Sequence, residues 1–93
     1  MTFLYYEPCF FQHETGSHPE RAERIRRIGP RLEASGLDRR CRRPGWEPVA
    51  RHRLTRIHSP RYADEVWSLA KSGGGDLDSD TVVSPCSFDV ALL

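Results

Sequence analysis

The densest run of groups able to do chemistry is H-E-T-G-S-H-P-E, from His13 to Glu20. Two imidazoles and two carboxylates close together could hold a metal or move protons. A metal-binding helix, however, needs H-E-x-x-H, so that both rings share one face. Here the histidines are five positions apart, and Gly16 and Pro19 oppose a helix through them. The run therefore reads as an ordered loop in which Thr15, Ser17 and His18 cap the next helix. Asp76-Leu77-Asp78-Ser79-Asp80 has the carboxylate spacing of half a calcium loop. Ser84, Pro85 and Cys86 stand where the rest of that loop needs its glycine and bidentate Glu. It reads better as a rim loop whose carboxylate could meet a partner's N–H groups. His52 and His58 are isolated in sequence, and His58, between Ile57 and a helix cap, reads as a satisfied, partly buried histidine.

Other chemical signatures are missing. There is no phosphate-binding glycine loop, no dinucleotide fingerprint and no nucleophile elbow. Gly73 to Gly75 reads as a flexible connection. Arg39, Arg40, Arg42 and Arg43 surround Cys41 with Trp46 nearby, the ingredients of a nucleic-acid patch. Glu20, Glu23, Glu33 and Glu47 dilute it.

The elements that must position these groups follow from pattern. Thr2 to Tyr6, T-F-L-Y-Y, is aromatic and apolar on both faces, which predicts a short buried strand. Ala22, Ile25, Ile28 and Leu32 form one stripe at helical spacing. Pro19 suits the first turn of that helix and Gly36 its end. Gly29-Pro30 lies within the stripe and predicts a kink or a break. Leu37 to Pro48 is turn-rich, with room for a short edge strand, and Leu54 and Ile57 suggest a single helical turn. Ser59-Pro60 is a cap followed by a first-turn proline, and Tyr62, Val66 and Leu69 give the apolar face of a helix from Pro60 to Lys71. Asp76 to Val83 reads as loop. Ser84-Pro85 repeats the cap signal ahead of Phe88, Ala91 and Leu92. This last helix has few turns and an apolar end, and isolated helices of that length are marginal in water. The expectation is an interrupted element.

Composition bounds what such elements can build. The chain has 93 residues, with 38% hydrophobic and 29% charged. A chain this short buries only about 60% of the surface it exposes when unfolded, so its core is thin. The formal charge of +1 argues against a protein that grips nucleic acid by bulk electrostatics. Lys71 is the only lysine among 14 basic residues, which reads as codon bias in a GC-rich genome ahead of a choice of Arg for bidentate pairing. No apolar run approaches the ~20 residues that cross a bilayer. The first residues lack a basic leader region. Cys9, Cys41 and Cys86 are odd in number and have no C-x-x-C spacing, as for free thiols in a reducing, cytoplasmic setting.

Four runs in order carry a family resemblance: H-E-T-G-S-H-P-E-R-A-E-R-I, R-L-E-A-S-G-L, L-T-R-I-H-S-P-R-Y and G-G-D-L-D-S-D-T. Together they resemble the N-terminal part of the histone deacetylase family, which includes acetylpolyamine amidohydrolases and bacterial histone-deacetylase-like amidohydrolases, and they look closest to its class II branch. The resemblance implies an α/β fold: an N-terminal fragment of an arginase/deacetylase-like parallel-sheet domain, with one or two short strands and three or more helices. It also implies metal-assisted amide hydrolysis in the complete enzyme, acting on acetylated lysine or polyamine. The family's zinc ligands, catalytic histidines and tyrosine lie downstream of the matched region, so no cofactor is expected in this chain and no activity from it alone. Two positions carry over by the resemblance, and a third is placed near them. Arg24 matches an arginine at the foot of the acetyl pocket, where it would otherwise read as a surface helix residue. Asp80 matches a rim carboxylate that accepts hydrogen bonds from substrate N–H groups. His13 should line the pocket mouth in a structural capacity. Exposed apolar faces of an incomplete domain predict self-association. The rival readings are a non-catalytic interaction module and a small Arg-rich nucleic-acid binder.

Overall fold

A computed structural model describes all 93 residues. Three helices and one hairpin form the regular structure: α1 (Ala22–Ser35), α2 (Pro60–Lys71), β1 (Gly75–Asp78), β2 (Thr81–Val83) and α3 (Ser87–Ala91). Short 3-10 turns at Pro8–Gln12, Asp38–Arg40 and Arg51–Arg56 connect them. The α/β class holds, but its strands are not where pattern placed them.

Thr2 to Tyr6 is extended without becoming a strand. Phe3 makes one isolated parallel bridge to Arg42. Leu4 N–H donates to the Arg42 carbonyl at 2.8 Å and Arg42 N–H to the Thr2 carbonyl at 2.9 Å. Only one face is covered: Leu4 and Tyr6 are half-buried, whereas Phe3 and Tyr5 are more than half exposed. Apolar residues on both faces mark a strand that needs two neighbours, and this one has a single bridge.

The hairpin replaces the expected loop at Asp76 to Val83. Gly75 pairs with Val83, Asp76 with Val82 and Asp78 with Thr81. The register shift leaves Leu77 as the extra residue, and it packs on the core. Asp78 turns the chain by accepting the Asp80 N–H at 2.8 Å. Carboxylates at alternate positions, which argued against a strand, are exposed here, while Leu77 and Val83 face inward. The glycines before β1 form a tight turn rather than a loose tether. Gly74 has φ +92°, and a Cβ there would lie 2.5 Å from the Val83 carbonyl oxygen.

Helix α1 begins at Ala22, three residues later than Pro19 suggested. The reason lies upstream. The Thr15 hydroxyl donates to the Glu20 carbonyl, and the Glu20 N–H donates to His18 Nδ1 at 3.0 Å. Residues 15 to 20 are thereby fastened to their own loop. Pro30 does not break the helix. Its missing N–H frees the Arg26 carbonyl, and both residues lie on the exposed face, where water can serve. Gly29 is explained by close approach: a Cβ there would collide with Tyr6, whose hydroxyl donates to the Ile25 carbonyl at 3.3 Å.

Helix α2 has the expected limits, and Ser59 Oγ accepts the Tyr62 N–H at 3.1 Å. The expected turn around Leu54 is a 3-10 turn, but Ile57 and His58 are exposed, so His58 is not the partly buried histidine anticipated. It lies against the Tyr62 ring instead, with centroids 5.5 Å apart. α3 starts at Ser87 rather than directly after Ser84-Pro85, because Ser84 Oγ is engaged elsewhere. The core is small: Ala70, Val83 and Phe88, flanked by Leu54, Val66, Leu69, Leu77 and Leu92. The molecule is only 18 Å thick along its shortest axis, which is why just nine residues are fully buried.

Candidate functional site

The His13–Glu20 loop lies against the Ser84–Ser87 turn. Six backbone and side-chain groups meet there. His13 Nδ1 is 2.6 Å from Ser87 Oγ, and the Glu14 N–H donates to Ser84 Oγ at 3.0 Å. Ser84 Oγ lies 2.8 Å from Ser87 Oγ and donates to the Gln12 carbonyl at 3.3 Å. The Ser84 N–H donates to Ser87 Oγ at 2.7 Å. Ser84 and Ser87 are buried, so the two bonds between them are made away from water, where each weighs most, while those to Gln12, His13 and Glu14 are half-buried.

A second clamp joins the loop to the hairpin tip. His18 Nε2 is 3.0 Å from Asp80 Oδ1. The His18 side chain is 18% exposed and that of Asp80 91%, so the carboxylate keeps most of its surface for another partner. The turn that presents Asp80 is itself pinned. The Asp78 carboxyl is held below its ordinary range, first by the Asp80 N–H and then by the Thr81 hydroxyl, with the Thr81 N–H adding to both.

These contacts frame two adjoining clefts. One, of about 220 Å³, is lined by His13, Thr15, His18, Glu20, Asp80 and Thr81. The other, of about 280 Å³, lies between Phe10, His13, Glu20, Arg24, Ile25 and Ile28. His13 and Glu20 are common to both. Arg24 ion-pairs with Glu20 across one turn of helix. The structure thus places His13 centrally, with Asp80 in one cleft and Arg24 in the next. Sequence pattern does not mark His18, Ser84 and Ser87 as site residues. His18 and Ser84 read there as helix caps, and no local pattern reports a contact across 62 or 70 residues.

The donor set does not suit a metal. No three His, Cys, Asp or Glu side chains converge. His13 Nδ1 is committed to Ser87, and His18 uses one nitrogen for the Glu20 N–H and the other for Asp80. Zinc therefore has no seat among these residues. The three cysteines are free thiols. Trp46, a candidate stacking platform, packs edge-on against Tyr5, with ring centroids 5.2 Å apart, and at a tilt against Phe10, at 6.2 Å. No helix is long and apolar enough to cross a membrane.

The fold has a solved counterpart in the crystal structure of the HDA15 HD domain. The two agree with a TM-score of 0.89 over 99% of this chain and 28% of that one, at 23% sequence identity. No family model matches the chain. Among curated proteins, a histone deacetylase-like amidohydrolase of Pseudomonas aeruginosa is 33% identical over 82% of the chain and 20% of its own length. A probable deacetylase of Methanothermobacter thermautotrophicus is 32% identical over 97% and 27%. An uncharacterized protein of Synechocystis is 37% identical over 100% and 32%. The chain therefore spans at most about a third of the relatives it matches. Over this partial length the chain is similar to proteins named histone deacetylase-like amidohydrolase and probable deacetylase, as its four ordered runs suggest.

Proposed function

We propose that this chain forms one wall of the substrate pocket of a zinc-dependent amide hydrolase that removes acetyl groups from lysine side chains or polyamines. The observation that carries the reading is the meeting of the His13–Glu20 loop and the Asp80 turn around one cleft, in a chain that superposes over 99% of its length on 28% of the HDA15 HD domain chain. In this reading the exposed Asp80 carboxylate accepts N–H groups of the substrate. Arg24 uses guanidinium donors not spent on Glu20 to border the acetyl end of the pocket, where its fixed charge and fork suit released acetate. Hydrolysis needs metal-binding and proton-transferring groups that these residues do not assemble, so the chain alone is expected to leave acetyl-lysine intact.

The test is a hybrid protein. These residues replace the matching stretch of the Pseudomonas relative, and hydrolysis of an acetyl-lysine peptide and of an acetylated diamine is measured. The hybrid is expected to hydrolyse at least one of them. Asp80→Ala should then raise KM about tenfold, the weight of one charge-assisted hydrogen bond. A folded hybrid without amidase activity would reject the reading. Unchanged KM in the variant would remove Asp80 from it. Phe3, Tyr5 and Ile57 remain exposed in the separate chain. Sedimentation should accordingly show association of copies, and a monomer at all concentrations would speak against it.

A further inference from the structure

The hydrogen bonds around Ser84 and Ser87 can be satisfied together in only one way. Each hydroxyl has a single proton and room for two incoming donors. Ser84 Oγ accepts the Glu14 N–H and lies within reach of both the Gln12 carbonyl and Ser87 Oγ. Ser87 Oγ accepts the Ser84 N–H and lies within reach of Ser84 Oγ and His13 Nδ1. The Gln12 carbonyl can only accept, so the Ser84 proton belongs to it. Ser87 must then give its own proton to Ser84 Oγ. That leaves the 2.6 Å contact between Ser87 Oγ and His13 Nδ1 without a proton unless the imidazole supplies it. With the ring protonated only at Nε2, Ser87 would have to donate to Nδ1. The Ser84 proton would then have two acceptors to serve, and one contact in a buried cluster would fail.

We propose that Ser84 and Ser87 are positioning residues that fix His13 as the Nδ1–H tautomer, so that its Nε2 lone pair is offered to the cleft as an acceptor for a ligand N–H. Nε2 makes no bond within the protein, and it is absent from the buried polar atoms that lack a partner, which are Asp38 Oδ1 and Trp46 Nε1. It is therefore open to the clefts that His13 lines, with Arg24 to one side and Asp80 to the other. Which nitrogen of a histidine carries the proton is set by the bond the other nitrogen makes. Here that bond comes from a relay spanning 74 residues of sequence. The tautomer stands independently of the pocket-wall reading. The identity of the ligand, an acylated amine presenting its amide N–H, rests on it.

Long-range proton–nitrogen NMR of the 93-residue chain reads the tautomer directly. At a pH where the ring is neutral, His13 is expected to show a protonated Nδ1 and an unprotonated Nε2. Ser87→Ala should shift the Nδ1–H to Nε2–H ratio about tenfold toward Nε2–H, the weight of one buried hydrogen bond. Ser87→Thr, which keeps the hydroxyl, should restore it. Ser84→Ala, which frees the Ser87 proton for the ring, should move it the same way as Ser87→Ala. A wild-type ring protonated at Nε2 overturns the proposal, and this result does not depend on any variant folding. N-acetyl-lysine methylamide is then titrated into the wild-type chain. Movement of the Nε2 resonance that is lost in Ser87→Ala supports the ligand assignment. An Nδ1–H ring whose Nε2 does not respond overturns that assignment and counts against the pocket-wall reading, leaving the tautomer in place.

Discussion

From Pro60 to Leu93 the chain is held by apolar contact, whereas from Met1 to Glu20 it is held by hydrogen bonds and aromatic edges. The first region contains Ala63, Ala70, Val83 and Phe88, all buried, with Leu69, Leu77 and Leu92 closing around the cluster. In the second only Thr15 is buried, and it is polar. That segment is fixed by Tyr6 on the Ile25 carbonyl, Phe3 on Arg42, Phe11 between Tyr6 and Arg26, and the bonds of His13, Glu14 and His18 to the distant turn. The apolar cluster supplies stability without direction. The polar clamps supply direction with little stability, because each replaces a bond to water. The candidate site sits where the two meet: its serines belong to the stable half and its histidines to the clamped one.

The comparison breaks most visibly if its apolar half is emptied. Phe88→Ala is expected to destabilise the chain by about 3 kcal/mol or more in urea unfolding, and to release the hairpin and α3 together. A loss well under that would mean the cluster is not what holds the region. Ser84→Ala sharpens the contrast. It strands the Glu14 N–H and the Gln12 carbonyl at a cost of about 2 kcal/mol. Hydrogen exchange should show residues 9 to 18 opening while α2 keeps its protection; uniform loss across both regions would refute their separate character. Ser59→Ala removes the α2 cap, costing about 1 kcal/mol, and should fray only the first turn of that helix.

The smallest effect is acid sensitivity at the hairpin tip. Because folding lowers the Asp78 carboxyl below its ordinary range, the stability it gives is present above that range and fades as pH falls through the lowered value. The Asp80 N–H should therefore lose exchange protection on acidification, and the response should vanish in Asp78→Asn. Loosening on raising the pH instead would contradict the sign.

How much was legible depended on how local the cause was. Ser59-Pro60 and the stripe Tyr62, Val66, Leu69 specify α2 within a dozen residues, and the structure follows them. Gly36 ends α1 in the left-handed conformation expected of it. The hairpin escaped notice because acids at Asp76, Asp78 and Asp80 mask a strand of which only Leu77 faces inward. Helix α1 runs unbroken through Pro30, and Arg26 and Pro30 both lie on its exposed face, a matter of which face is covered. The strand at Thr2 to Tyr6 failed for the converse reason. Its residues can be buried on both sides, but this chain covers one.

Sequence alone determined the four ordered runs, the extent of α2 and the glycine that ends α1, since residue type and short spacing carry these; His13, Arg24 and Asp80 stand as candidates only through the resemblance that the runs carry. Tertiary structure alone decided that His18 would reach Asp80, that Ser84 and Ser87 would grip the His13 loop, and that Arg24 and Asp80 would fall in neighbouring clefts rather than one. Such bonds join residues tens of positions apart. Their existence depends on how α1, the hairpin and α3 pack, and no periodicity in the chain records that.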